Sequence, residues 1–117
     1  MYRKLLKSKI HRAVVTGTEL EHEGSITIDK SLLKQAGIKE FEYVQVVNLE
    51  NGARFETYTL VGEPDSGIIE LNGPAARLCH QGDRIIIMSH ILVSEPLPEN
   101  WNPKISLVND QNQVREK

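Results

Sequence analysis

Apolar and polar residues alternate with the period of a strand along much of this chain. Ile26 and Ile28 fall on one side and Thr27 on the other, as in a half-buried strand. Near the N-terminus Leu6, Ile10 and Val14 share one face of an extended segment, with Lys7, Lys9, His11, Ala13 and Val15 on the other. From Arg54 the same period puts Arg54, Glu56 and Tyr58 on one face and Phe55, Thr57 and Thr59 on the other. Val44 to Leu49, Ile68 to Leu71, Arg84 to Met88 (a buried strand) and Ile105 to Val108 add further strands. The pattern breaks over Asp29 to Gly37, which predicts a short helix: Asp29 caps its start, Gly37 stops it, and Leu32, Leu33 and Ala36 form its buried side.

Between these elements lie turns. Thr16 to Glu19 and Glu63 to Gly67 read as turns, and Asn51-Gly52 as a two-residue hairpin. Asn72-Gly73-Pro74-Ala75-Ala76 reads as a tight turn opening a short helix, with proline tolerated in the first turn. Gly82-Asp83 is a turn that Asp83 holds, and the polar end from Asn109 reads as a frayed tail.

A chain of 117 residues makes a single domain, 1–117, with a core that subunit association would enlarge. Three Tyr, two Phe and one Trp leave Val, Ile and Leu to fill the interior, which favours β structure. A net charge of −2 argues against nucleic acid as a partner, although Arg3, Lys4, Lys7, Lys9 and Arg12 make the first strand cationic. Cys79 is the single cysteine, so no internal disulfide forms, and the four histidines lack metal-ligand spacing. No apolar run is long enough for a membrane, and the absence of an apolar leader core makes the cytoplasm the expected location.

The candidate chemistry centres on Gly24-Ser25. A hydroxyl stands where a flexible turn enters a rigid strand, directly after a carbonyl that no side chain shields. Taken alone, Gly-Ser is most often a structural turn dipeptide. In a strained turn Ser25 attacks the Gly24 carbonyl and converts the peptide bond to an ester. Elimination of the ester and hydrolysis of the product then cut the chain and leave a pyruvoyl group in place of Ser25. Other segments supply complementary groups: Arg54 a permanently charged fork for a carboxylate, Tyr58 a weak acid able to protonate carbon, Thr57 a hydroxyl able to polarise the Gly24 carbonyl. Lys9 on the cationic strand is a solvated charge or a carboxylate partner, and His11 reads as structural. Free N–H groups after Asn72 suit a carboxylate as well.

Lys9-Ile10-His11-Arg12, Glu23-Gly24-Ser25, the run Asn51 to Tyr58 and Asn72-Gly73-Pro74-Ala75-Ala76 occur in that order. From about Met1 to Val108 the chain resembles the pyruvoyl-dependent aspartate 1-decarboxylases. The resemblance implies a mainly β, double-psi β-barrel with short helices, assembled as a homotetramer with sites between subunits. It also implies a lyase made as a zymogen, cleaved between 24 and 25 into a β chain 1–24 and an α chain 25–117. The cofactor would be the covalent pyruvoyl group from Ser25, acting as a Schiff base with L-aspartate, with no metal and no pyridoxal phosphate. The products would be CO2 and β-alanine, the latter a precursor of pantothenate and coenzyme A. Ser25 and Tyr58 (proton donor) would be catalytic, Gly24, Ser25 and Thr57 would act in processing, and Lys9, Arg54, Thr57, Asn72, Gly73, Pro74 and Ala75 would bind substrate.

Two positions depart from the family's pattern. His22 stands where the family has tyrosine, and Pro74, which has no N–H, stands where it usually has alanine. The sequence leaves open whether cleavage is spontaneous or needs an accessory maturation protein. It also leaves open which carboxylate Arg54 and Lys9 each bind, Lys9 being equally suited to the new Gly24 carboxylate. Two rival functions are a non-enzymatic β-barrel binding or regulatory module and a pyruvoyl decarboxylase of another amino acid such as glutamate.

Overall fold

A computed structural model describes residues 1–115. In chain order the strands are β1 (Tyr2–Val14), β2 (Gly17–Glu19), β3 (Ser25–Asp29), β4 (Tyr43–Asn48), β5 (Arg54–Gly62), β6 (Ile69–Asn72), β7 (Arg84–Ser94) and β8 (Lys104–Leu107). Helix α1 (Lys30–Ala36) follows β3, and a 3₁₀ helix (Gly73–Arg77) follows β6. The eight strands form one sheet in the order β2-β6-β3-β5-β4-β7-β1-β8.

The order itself closes the sheet. β1 and β2 lie near opposite ends of it, yet only Val15 and Thr16 separate them in the chain. Thr16 N donates to the Ile69 carbonyl (2.8 Å) and Val15 N to the Asp83 carbonyl (2.9 Å), which stitches the two ends together. The fold is therefore mainly β and consistent with the barrel that the resemblance implies. Its interior is aliphatic: Ile10, Ile26, Ile28, Val46, Ile69, Leu71, Ile85 and Ile87 are fully buried. Closure suits such a chain because a barrel exposes no long edge and needs few aromatics to fill it.

Helix α1 follows the expected logic. Asp29 accepts from Ser31 N (2.8 Å), and Gly37 ends the helix at φ 69°. The same carboxylate takes N–H bonds from Asp65 (2.9 Å) and Gly67 (2.8 Å), so one cap also moors the turn before β6.

Several expectations are corrected. Residues 16–19 do not form a simple turn: Gly17–Glu19 is a strand, parallel to β6, and the Thr16 hydroxyl reinforces it on the Ile69 backbone. In β1 the register slips between Ile10 and Ala13, so Ala13 and Val15 turn into the core and Val14 out. A bulge inserts one residue and resets the alternation. The β4–β5 connection is wider than a two-residue turn, spanning residues 49–53: Asn48 N donates to the Ala53 carbonyl (2.8 Å) and Gly52 N to the Asn48 carbonyl (2.9 Å), which closes a five-residue loop. β7 is not buried on both faces: Ile85, Ile87 and Ser89 point inward, and Ile86 and Met88 are half-buried.

The end of the chain is not frayed over 109–115. Asn112 is 2% exposed, and its amide brackets the Val14 backbone, accepting from N (2.7 Å) and donating to O (2.8 Å). A side-chain amide thus serves Val14 on the side away from β7, where pairing with β8 has ended at His11. Among the described residues no helix is long and apolar enough to cross a membrane.

Candidate active site

Ser25 opens β3 and is completely buried. The antiparallel register sets it opposite Asn72, the last residue of β6. Asn72 Nδ2 donates to Ser25 Oγ (2.8 Å) and to Thr27 Oγ1 (3.0 Å). Ser25 and Thr27 are two apart on a strand, so they share a face and one amide reaches both. Thr27 is a site neighbour that the motif reading missed; its period-two spacing from Ser25 is the signal for it. Asn72 Oδ1 is buried without a donor. Such an acceptor costs about 1–3 kcal/mol, a deficit that a donor entering the site would remove.

Gly73 explains why this corner is so tight. It sits at φ 64°, and a Cβ there would lie 2.6 Å from the His22 carbonyl and 2.7 Å from Gly24 N. Only glycine lets the start of the 3₁₀ helix pack directly on the backbone of residues 22–24. The Pro74 ring lies against Gly24: its Cδ is 3.4 Å from where a Gly24 Cβ would be. Pro74 thus shapes the wall, and the N–H groups left for an anion are those of Gly73, Ala75 and Ala76. A cavity of ≈ 230 Å³ lies beside this corner, lined by Gly24, Thr57, Pro74, Ala75, Phe55 and Leu78 among others.

Strand β5 lines the cavity beside Gly24. Thr57 is buried and lines the cavity with Gly24. Ile26 pairs with Thr59, and both are fully buried. Tyr58, one step before Thr59, faces the other side of the sheet. The Tyr58 ring is half-buried between Phe41 and Tyr43, with centroid separations of 6.4 and 6.3 Å. Thr57 and Tyr58 do face opposite ways, as their alternation requires, and of the two it is Thr57 that lines the cavity with Gly24.

Arg54 and Lys9 do not join this corner within one chain. Arg54 is exposed at the start of β5, donates to Gln45 Oε1 (3.1 Å), and has no carboxylate partner among the described residues. It stands four residues from Tyr58, about 13 Å along an extended strand. Lys9 lies three strands away from β5 in the sheet order, roughly 14 Å across.

His22 is exposed, with Nδ1 3.3 Å from the Glu23 carbonyl. The Ser25 hydroxyl faces the same carbonyl more weakly, at 3.4 Å. His22 and Ser25 thus both reach one carbonyl beside the Gly24-Ser25 peptide, a relation that no motif signals. Away from the corner, Asp83 holds its turn as expected: Asn48 and the His80 backbone keep its carboxyl below the usual range. Burial raises the Cys79 thiol to about 11, so it is no nucleophile at neutral pH. Among the described residues no group of His, Cys, Asp or Glu is placed to hold a metal.

A buried serine, a glycine cradle and a small, mainly apolar cavity meet at this corner of the sheet. A family profile described as aspartate decarboxylase matches residues 1–115. Proteins named aspartate 1-decarboxylase are similar along nearly their whole length. That of Kosmotoga olearia is 54% identical over 117 residues, covering 100% of both chains. That of Caldicellulosiruptor bescii is 54% identical over 114 residues (97% of this chain, 89% of the relative), and that of Carboxydothermus hydrogenoformans 51% over 114 residues (97% and 90%). The chain belongs to the aspartate decarboxylase family.

Proposed function

We propose that this chain cleaves itself between Gly24 and Ser25 and then decarboxylates L-aspartate to β-alanine and CO2, a reaction that feeds pantothenate and coenzyme A synthesis. The observation that carries the reading is a fully buried Ser25, fixed by Asn72 against a backbone that Gly73 alone can accommodate. In maturation Ser25 Oγ attacks the Gly24 carbonyl carbon and its proton leaves. The peptide nitrogen of residue 25 takes a proton as the C–N bond breaks, giving an ester. Thr57, on the Gly24 side, stabilises the charge that develops on the Gly24 oxygen. Loss of the residue-25 α-proton then expels Gly24 as a carboxylate, and water releases ammonia to leave a ketone at residue 25.

The corner fits a pyruvoyl group: a planar ketone occupies less space than the serine it replaces, and the cavity beside Gly24 admits a small substrate. When present, that group supplies an electron sink for the carbanion left by CO2. The chain's own residues do the rest. Arg54 holds a substrate carboxylate, and the N–H groups of Gly73 and Ala75 hold polar atoms at the start of the 3₁₀ helix. The Asn72 Oδ1 acceptor receives a donor from the substrate. Tyr58 gives its proton to the carbon that has lost CO2. Lys9 neutralises a second carboxylate, either the substrate's or that of the newly formed Gly24 terminus.

Arg54 and Lys9 are too far apart along one barrel to clamp one small dicarboxylate, which supports a site shared between copies in a homotetramer. The exposed rings of Phe41 and Tyr43 beside Tyr58 offer an apolar surface for that contact. His22 can position the Glu23 carbonyl through a donated hydrogen bond; whether an accessory protein assists is decided by cleaving the purified chain alone.

Denaturing mass spectrometry tests the reading. The expected products are a 1–24 fragment and a larger fragment without a free amino terminus, and Ser25→Ala stays intact while folding normally. An uncut chain that nevertheless decarboxylates aspartate at full rate sinks the proposal.

A further inference from the structure

The largest cavity among those described, ≈ 390 Å³, is not the one beside Ser25. His11, Arg12, Arg84, Asn109, Asp110 and Arg115 are among the residues lining it, and none of its lining is shared with the Gly24 cavity. It lies at the β1 bulge. Adjacent residues of a regular strand face opposite ways, but His11 and Arg12 both border this cavity because the register slips there. Arg12 takes φ 66° to do so, a left-handed conformation that costs a non-glycine residue about 1–2 kcal/mol.

The strain is held in place by a second arginine. Arg84 Nη1 donates to the Arg12 carbonyl (3.0 Å), and its Nη2 pairs with Asp110. Arg84 is thereby neutralised and fixed as a wall. Arg12 and Arg115 have no carboxylate partner among the described residues. The cavity therefore gathers three guanidiniums against one carboxylate in a chain whose net charge is −2. Its positive field is felt by His11, whose pKa is lowered by burial first and then by Lys9 and Arg12.

We propose that this cavity binds a small phosphate-bearing anion, with Arg12 and Arg115 as the guanidiniums that grip it and Arg84 as the fixed wall. Planar forks from different chain segments match the several oxygens of a doubly charged phosphate better than one carboxylate. The volume lies in the range of small-molecule sites, ≈ 300–1,000 Å³, and the concave shape and acidic chain argue against a nucleic-acid track. The site is independent of the chemistry at Ser25.

Calorimetric titration of the purified full chain with inorganic pyrophosphate tests this. The expected result is saturable binding that Arg12→Gln and Arg115→Gln each weaken at least about tenfold, while Lys34→Gln, at an exposed position of α1, leaves it unchanged. Arg115→Gln alters an exposed side chain near the end of the chain, so it keeps the test valid if Arg12→Gln misfolds. Proton NMR of His11 gives a second readout: its pKa rises on binding, because the anion offsets Arg12 while burial and Lys9 act as before. No saturable binding, equal binding by both arginine variants, or an equal loss in Lys34→Gln overturns the proposal.

Discussion

The two sides of β5 are built on opposite plans. Toward Gly24 the packing is backbone on backbone: Thr57 is buried, Gly73 touches residues 22–24 without a side chain, and Ser25 has no solvent exposure. On the outer side Arg54 and Glu56 stand exposed, and Tyr58 leans on rings that are themselves mostly in solvent. The first arrangement is complete within one chain and suits a reaction in which the chain is its own substrate. The second is unfinished, and suits a step that begins after another copy has docked. On the proposed function, processing and turnover should therefore be separable by mutation.

The largest effect is expected at Gly73. Gly73→Ala combines a left-handed φ with a Cβ 2.6 Å from the His22 carbonyl, and backbone cannot move aside as a flexible side chain can. Gly37 has nearly the same φ, 69°, with nothing within 4 Å of its would-be Cβ. Gly37→Ala should therefore cost only the conformational share, about 1–2 kcal/mol, and still be cut at 24/25. Gly73→Ala should lose more stability than that and remain uncut. Thermal melts and denaturing mass spectrometry of both read the difference; equal behaviour would mean that the close packing at Gly73 is not what orients the scissile peptide.

Tyr58→Phe probes the other side. The ring stays packed on Phe41 and Tyr43, so folding and cleavage should be unchanged, while aspartate turnover falls by about 10²–10⁴-fold, the usual worth of a positioned proton donor. Peptide mapping checks the first half and kcat the second. A variant that fails to cleave would make Tyr58 part of the processing machinery and erase the division between the two sides.

How far the sequence foretold this depends on range. The period-two patterns of β3 and β5 and the caps of α1 are local, and each was legible because a strand's faces and a helix's ends are fixed by residues a few places apart. Thr16 to Glu19 was misread because its partner, β6, lies some fifty residues on, and a lone Gly-Thr pair carries no trace of it. The β1 bulge was invisible too: no glycine marks it, and Arg12 adopts φ 66° through contacts with Arg84. At the site, motif order groups Ser25, Thr57 and Asn72; the structure joins Asn72 to Ser25 by a hydrogen bond, and Thr57 lines the cavity beside Gly24. The separation of Lys9 from Arg54 depends on strand order, which no motif encodes.

The smallest effect concerns acid stability and distinguishes the bulge from both sides of β5. Burial, followed by Lys9 and Arg12, lowers the pKa of His11; burial and Lys4 lower that of His90. A histidine whose folded pKa lies below its unfolded 6.5 binds fewer protons when folded, so stability is lost as pH falls through 6.5 toward the folded value. Glu42, held down by Ser89, Lys39 N and Lys7 against its own burial, acts in the same direction at lower pH, below its ordinary 4.5. Melting temperature should therefore fall between pH 7 and pH 5 before the carboxylates titrate. His11→Gln should flatten the part of that slope due to the bulge, leaving cleavage at Ser25 unaltered. Pyrophosphate should flatten it too, since an anion beside Arg12 removes part of what depresses the imidazole. A slope that neither the substitution nor the anion changes would place the titrating group elsewhere, at His90 on the outer face of β7.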